Sequence, residues 1–233
     1  MDANIKYSGI DNLEVLTEAK RYNNFLKKHV IGNSRGAQTA LDFGAGIGTF
    51  SIALRAMGLN VVCIETDVDL LNRLKNLGFN ALLSLNDITD NSFDYIYSLN
   101  VLEHIEDDIG ALKQLYLKLK PGGRVFLYVP AFNALYSSMD RKVGHFRRYR
   151  KSGLTQSMNG VGFNIEKAVY VDSLGFFATL IFKLIGNDKG DLDRTAVKIY
   201  DTFIFPISRV LDSAFSGLFG KNLMIVASRR EDS

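Results

Sequence analysis

The sequence predicts a doubly wound α/β fold, a mostly parallel sheet with helices on both faces. Three observations carry that expectation. Apolar, β-rich runs alternate with helix-patterned stretches from Thr39 to Pro130, the rhythm of βαβ units. A glycine-rich turn, Gly44-x-Gly46-x-Gly48, stands between the first of those strands and the first helix, where backbone can approach a nucleotide-type ligand. An acidic residue, Glu65, closes the second strand about 20 residues later, where a carboxylate can take both hydroxyls of a ribose. With 233 residues, the chain supports a single domain with appendages rather than two.

The elements follow in order. Residues 1–38 form an N-terminal extension. Within it, from Asp11 to Val30, Leu13, Leu16, Ala19, Tyr22, Phe25 and Leu26 recur at helical spacing and predict an amphipathic helix that packs as a lid or flank. Residues 39–130 form the core. TALDFG reads as a strand, Thr49 to Met57 as a helix, NVVCIE as a strand and Val68 to Leu77 as a helix. FNALLS and FDYIYSL are strands, Glu106 to Leu119 is a helix ended by the turn at Pro121-Gly122-Gly123, and RVFLYVP is a fifth strand. Residues 131–151 open an insertion, AFNALYSSMDRKVGHFRRYRKSG, that is too polar and irregular for a core element. Ser152 should cap a short helix ending near Gly160. FNIEKAVYVD and LMIVASRR are the sixth and seventh strands. Between them, residues 174–220 carry two apolar helical stretches, Leu174 to Ile185 and Val197 to Phe219, read as a cap or an interface.

Composition excludes several classes. Hydrophobic residues make up 47% and charged residues 23%, far from disorder. A net charge of +3 lacks the basic excess of a dedicated nucleic-acid binder, and Arg147, Arg148 and Arg150 form the one concentrated positive patch. No nucleic-acid partner is expected. The single Cys63 cannot form an internal disulfide, reads as an inert core thiol, and together with an N-terminus lacking a signal-like apolar core points to the cytosol. Leu174 to Gly186 is too short to span a bilayer and contains Lys183. No transmembrane segment is expected, and peripheral contact with a membrane stays open.

Asp42, just before the glycine turn, would repel a phosphate but suit an amino-acid ammonium or a sulfonium. With LDFGAGIG, Glu65, FDYIYSLNVLEHIED and LKPGGRVFLYVP in that order, the chain resembles the class I S-adenosylmethionine-dependent methyltransferases, from about Thr39 to Arg230. The resemblance implies a Rossmann-like, seven-stranded sheet whose last strand is antiparallel. It implies S-adenosylmethionine as cofactor and S-adenosylhomocysteine as product. Gly44, Ala45, Gly46 and Gly48 would line the methionine part, Glu65 the ribose, and Thr66 and Asp67 the adenosine edge. Asp87 with Ile88 would flank the adenine, Ser84 being the alternative register, and Leu99 and Asn100 would close the site beneath the sulfonium. Some relatives carry an acid where this chain has Asn100 and use it to bind a divalent metal. No metal site is expected here.

Methyl transfer from a sulfonium is an in-line displacement, served by positioning and, for a hydroxyl or ammonium acceptor, by a base. His29, His104 and His145 are the three histidines. His29 reads as a solvated residue at a helix C-terminus. His104 reads as a base, as a wall of the acceptor pocket, or as a structural histidine beside Glu103. His145 belongs to a D-x-x-x-G-H-x-R-R-Y run similar to that of a bacterial and archaeal methyltransferase subgroup. Tyr136, Asp140, His145, Arg147, Arg148 and Tyr149 are therefore the acceptor-side candidates. Their arginines either hold a carboxylate or phosphate or pair with Asp140 and stiffen the loop. The expected function is methyl transfer to an oxygen of a small-molecule, glycan-linked or lipid-linked acceptor, with a homodimer left open. The alternatives are an NAD-dependent oxidoreductase, disfavoured by the motifs after strands four and five, and a non-catalytic cofactor-binding module.

Overall fold

The computed structural model of the protein describes residues 15–185 and 190–231. The apolar runs form β1 (Thr39–Phe43), β2 (Asn60–Ile64), β3 (Asn80–Leu82), β4 (Phe93–Leu99), β5 (Leu119–Pro130), β6 (Phe163–Val171) and β7 (Asn222–Arg229). They make one sheet in the order β3-β2-β1-β4-β5-β7-β6. The first five strands are parallel, and β7 runs antiparallel between β5 and β6. The strand order therefore reverses between β1 and β4, the crevice where open α/β sheets bind ligands.

Alternate residues of the same strands feed two cores. Leu41, Ile96, Val125 and Leu127 are buried on one face. Ala40, Cys63, Tyr97 and Phe126 are buried on the other. Burial on both faces explains why these strands read as nearly continuous apolar runs. Burial also pushes the Cys63 thiol up to about 12, in keeping with an inert core residue.

Four crossover helices cover the sheet: α2 (Thr49–Ala56), α3 (Val68–Asn76), α4 (Asp108–Lys118) and α6 (Lys151–Val161). The preceding α1 (Lys20–Asn33) buries Leu26 and Val30 against the second core. The helix expected from Asp11 to Val30 is broken rather than continuous: Val15 and Leu16 are helical, Thr17 and Glu18 form a turn, and α1 begins after Ala19, its cap position. Residues 11–14 lie outside the described residues. Its first amides are satisfied from far away in the chain, because the Asp201 carboxylate accepts the Arg21 N–H at 2.9 Å and the Tyr22 N–H at 2.8 Å.

Three local expectations are corrected. The helix α4 starts at Asp108, where the Asp107 carboxylate accepts the Gly110 N–H at 2.9 Å. It ends at Lys118, and Pro121-Gly122-Gly123 falls inside β5, bulging out between the pairs Phe93–Leu119 and Tyr95–Arg124. Ser152 is not a cap: α6 begins at Lys151, whose amide donates to the Tyr170 hydroxyl at 2.9 Å. The insertion after β5 is not a solvated loop. It folds into a 3-10 turn (Asn133–Leu135) and α5 (Ser138–Val143), and Leu135 and Asp140 are fully buried. Its polar groups enter the interior because they satisfy one another.

Before β7 come α7 (Ser173–Ile185), α8 (Arg194–Ile199), a widened π-helical turn (Tyr200–Ile204) and α9 (Phe205–Phe215). Pro206, which has no amide hydrogen to complete the ladder, follows the π turn. Among the described residues, no helix is long and apolar enough to cross a membrane.

Candidate active site

A cavity of about 1230 Å³ opens over the C-terminal ends of β1, β4 and β5 and extends to the ends of β6 and β7. At one end lies the glycine turn. Gly44, Gly46 and Gly48 have φ of +83°, +54° and +81°, a region glycine enters without penalty. The Gly44 and Ala45 amides donate to the Ile64 carbonyl at 2.9 and 3.0 Å, tying the turn to the end of β2. That tie puts Glu65 beside it. The Glu65 carboxylate accepts the Gly46 N–H at 2.8 Å and the Asp67 N–H at 3.0 Å. Asp67 in turn caps α3, accepting the Asp69 and Leu70 amides at 2.9 and 3.0 Å.

Asp42 is buried beneath the turn and accepts hydrogen bonds from Ser51 Oγ at 2.6 Å and Tyr97 OH at 2.7 Å. Burial raises its pKa to about 7, against the pull of those two hydroxyls. A cation in the cavity would favour its ionised form. Asn100 takes a φ of +54° and donates its amide to the Tyr128 carbonyl at 2.7 Å.

Asp42, Gly44, Ala45, Gly46, Glu65, Thr66, Asp67, Leu99 and Asn100 all line the cavity. Asp87 and Ile88 do not. Asp87 is exposed in a 3-10 turn, Ile88 gives its carbonyl to Lys118 Nζ at 2.7 Å, and Ser84 receives the Asn86 amide. Gly48 also stands back from the wall as the left-handed cap of α2, packed against Leu74.

The middle of the cavity is walled by His104, His145 and Arg148. The two imidazole rings are 4.5 Å apart, edge to face. Asp140 organises this wall. It forms a capping box with Ser137 at the start of α5, takes His145 Nδ1 at 2.7 Å, and receives Arg148 Nε and Nη2 at 2.8 and 2.9 Å. Burial works to raise its pKa, but the hydrogen bonds from His145 and Arg148 win and hold the carboxyl well below its usual range. Ionised Asp140 accepts from His145 Nδ1, which fixes the orientation of the ring. Burial drives the His104 pKa down to about 4, aided by the neighbouring His145.

Tyr136, Asp140, Arg147 and Tyr149 brace this wall from behind. Tyr136 OH donates to the His145 carbonyl at 2.6 Å, Arg147 pairs with Asp108 at 2.9 Å, and Tyr149 OH donates to Asp108 at 2.9 Å. Arg148 is thus committed to Asp140, the pairing that stiffens the loop.

Glu103 went unassigned in the sequence, and its signal was only adjacency to His104. It is fully buried with no hydrogen-bond partner on either oxygen, and Oε1 stands 3.8 Å from His145 Nε2. Burial moves its pKa from 4.5 to about 8, against the attraction of Arg148. Glu103, His104 and His145 each offer one ligand atom, all within 4.8 Å of one another. They are the group among the described residues able to hold a cation, and Asn100 is not part of it. Because folding keeps the Glu103 proton to higher pH than the unfolded chain does, its carboxyl costs stability as pH rises from about 4.5 to about 8. The variant Glu103→Gln is therefore expected to gain on wild type across that window, by up to a few kcal/mol at pH 8. Urea melts at pH 5 and pH 8 check it, and an equal difference at both would refute it.

Comparisons with known proteins agree with this architecture. A methyltransferase domain family matches residues 14–168. Phosphoethanolamine N-methyltransferase 2 of Caenorhabditis elegans is 28% identical over 200 residues, covering 80% of this chain and 44% of that protein. Demethylmenaquinone methyltransferase of Staphylococcus epidermidis is 29% identical over 153 residues, covering 57% of this chain and 61% of that one. The chain thus spans less than two thirds of the length of either relative. A SAM-dependent methyltransferase from Archaeoglobus fulgidus has the same fold, with a TM-score of 0.61 at 18% identity over 92% of this chain and 98% of the other. A family match over most of the chain, on a seven-stranded sheet of this order with the glycine turn and Glu65 on one cavity wall, assigns the protein to the S-adenosylmethionine-dependent methyltransferases.

Proposed function

We propose that the protein moves the methyl group of S-adenosylmethionine to an oxygen of a small-molecule, glycan-linked or lipid-linked acceptor, with His145 as the base. The observation that carries this reading is one cavity with two chemistries. Its glycine-turn end offers backbone, Glu65 and Asp42 to a nucleoside and an amino acid, and its middle offers an imidazole whose Nδ1 is fixed on Asp140. Its volume of about 1230 Å³ exceeds the roughly 300–1,000 Å³ of a site for one small ligand. Residues 39–130 would bind the cofactor, residues 131–151 would shape the acceptor side, and residues 174–220 would cap it. Neither Asp87 nor Ile88 lines the cavity, so their part in holding the adenine would need movement of the Leu85–Asp87 turn.

In the step itself the acceptor oxygen attacks the methyl carbon, the carbon–sulfur bond breaks, and its electron pair stays on sulfur. The hydroxyl proton goes to His145 Nε2. Asp140 holds the ring in the tautomer that can accept it and stabilises the imidazolium, the role a buried carboxylate plays behind a catalytic histidine. His104, neutral at pH 7, walls the site and excludes water.

The outer face of the cap carries exposed Phe177, Ile181 and Leu184 on α7 and Phe203, Ile207 and Val210 on the π turn and α9. Such a face favours peripheral contact of a cytosolic protein with a membrane, or a homodimer through the cap.

The test begins with calorimetric titration of the ligand-free protein with S-adenosylmethionine and S-adenosylhomocysteine. Labelled methyl transfer to a panel of hydroxylated small molecules, glycans and lipids follows. With the acceptor that responds, His145→Gln is expected to lower kcat by about 10²–10⁴-fold while leaving cofactor affinity within about twofold. An unchanged kcat would remove His145 from the chemistry, and absence of cofactor binding would defeat the reading as a whole.

A further inference from the structure

The far end of the cavity, at the ends of β6 and β7, holds polar groups that nothing described above uses. Asp172 follows β6 with φ of +64° and is 1% exposed. Its Oδ1 is occupied, accepting the Gly175 N–H at 3.1 Å and Ser208 Oγ at 2.9 Å as well as the Tyr200 hydroxyl. Its Oδ2 is buried without a partner. A Cβ on residue 175 would stand 2.1 Å from that oxygen, so glycine there leaves it room.

Across the strand pair, Asn222 is 3% exposed and its Nδ2 is likewise buried without a partner. Lys221 sits opposite Asp172, its amide donating to the Asp172 carbonyl at 3.0 Å. Among the described residues, its ammonium has no hydrogen-bond or ion-pair partner, and burial pushes its pKa below the ordinary value. Asp172, Lys221 and Asn222 all line the cavity. With β7 three strand positions from β1, this end lies roughly 14 Å from the glycine turn, at about 4.8 Å per strand.

The unused groups select a ligand by their hydrogen-bond inventory. One is a pure acceptor, Asp172 Oδ2, and two are pure donors, Asn222 Nδ2 and Lys221 Nζ. A phosphate or carboxylate would take the donors but face the Asp172 charge and leave its oxygen unpaired. An ammonium would satisfy Asp172 and leave both donors unpaired. Hydroxyls do both, giving a proton to the carboxylate while accepting from the amide or the ammonium, and buried polar groups left unmatched are costly. We propose that Asp172, Asn222 and Lys221 form a hydroxyl-reading subsite that binds a neutral sugar ring, the non-reacting part of a glycan-type acceptor. This rests on the methyl-transfer reading and narrows its acceptor class.

The test uses saturation-transfer NMR on protein saturated with S-adenosylhomocysteine. The probes are methyl glycosides of glucose, galactose, mannose and rhamnose, with methyl phosphate as the anionic comparison. At least one glycoside is expected to receive saturation. Asn222→Leu and Asp172→Asn are each expected to weaken its binding at least about tenfold, the loss of one buried or charge-assisted hydrogen bond. Affinity for S-adenosylhomocysteine stays within about twofold in both, which also reports that they fold; Asp172→Asn keeps the Oδ1 that accepts from Gly175. No saturation of any glycoside overturns the proposal. So does glycoside binding that neither variant weakens, or binding of methyl phosphate alone that Asp172→Asn strengthens. Failure of S-adenosylhomocysteine itself to bind wild type would instead strike the methyl-transfer reading, which separates the two failures.

Discussion

Gly46→Arg is expected to abolish S-adenosylmethionine binding, raising Kd by at least about 100-fold, in a protein that remains folded. The geometry separates those two effects. A Cβ on residue 46 meets nothing within 4 Å, so the side chain enters the cavity without displacing protein. Residue 46 has φ of +54°, and a non-glycine residue there costs about 1–2 kcal/mol, a fall in Tm of about 2–4 °C per kcal/mol for a chain of this size. The guanidinium would then occupy the space beside Glu65, whose carboxylate already holds the Gly46 amide at 2.8 Å. Glu65→Ala should weaken binding by the complementary route, releasing that amide and removing the acceptor for a ribose. The neighbouring glycine behaves differently. A Cβ on Gly44 would stand 2.2 Å from Val101 Cγ2 at a φ of +83°, so Gly44→Ala should lower stability itself. Calorimetry and a thermal melt read both variants. Normal cofactor affinity in Gly46→Arg would mean that the nucleoside does not lie on this turn.

The largest effect on stability is expected from Asp140→Ala, a loss of about 3–5 kcal/mol. Asp140 is fully buried and Arg148 is 4% exposed, and their bidentate pair is completed by His145 and by the Ser137 amide at 2.8 Å. Removing the carboxylate leaves a buried guanidinium with no counter-charge, which costs more than the pair contributes. The double variant Asp140→Ala/Arg148→Met should therefore be more stable than Asp140→Ala alone. Because the folded pKa of Asp140 is held below its unfolded value, its contribution is complete above the usual carboxylate range and is lost as pH falls below about 4. Urea melts at pH 7 and pH 3 read both points. An Asp140→Ala deficit under about 1 kcal/mol at pH 7, or one that persists in full at pH 3, would contradict the role assigned to this carboxylate.

The β strands and crossover helices were legible because their signals are local. Short apolar runs, glycine punctuation and the spacing from Gly44 to Glu65 all act within about 30 residues, the length of one βαβ unit. The cofactor end was legible for the same reason, since the glycine turn and Glu65 belong to consecutive strands. Asp87 and Ile88 were placed by resemblance to a family pattern rather than by a local signal, and they stand off the cavity wall.

Where a group is satisfied from a distance, sequence reasoning had no purchase. The first turn of α1 is capped by Asp201, 180 residues away, and the role given to Ser152 is taken by Tyr170, 19 residues from the amide it accepts. The insertion looked too polar for the interior because each charge was counted singly. Asp140, His145 and Arg148 enter it as a set, and a charge is tolerable in the core when its partners arrive with it. The seven-stranded pattern, the glycine turn and the acid after it were thus determined by the sequence alone. The orientation of His145 on Asp140, the unpartnered Glu103 and the meeting of Asp172, Lys221 and Asn222 were decided by the tertiary structure. Each depends on which strands and helices become neighbours, and that contact is written in no single stretch of chain.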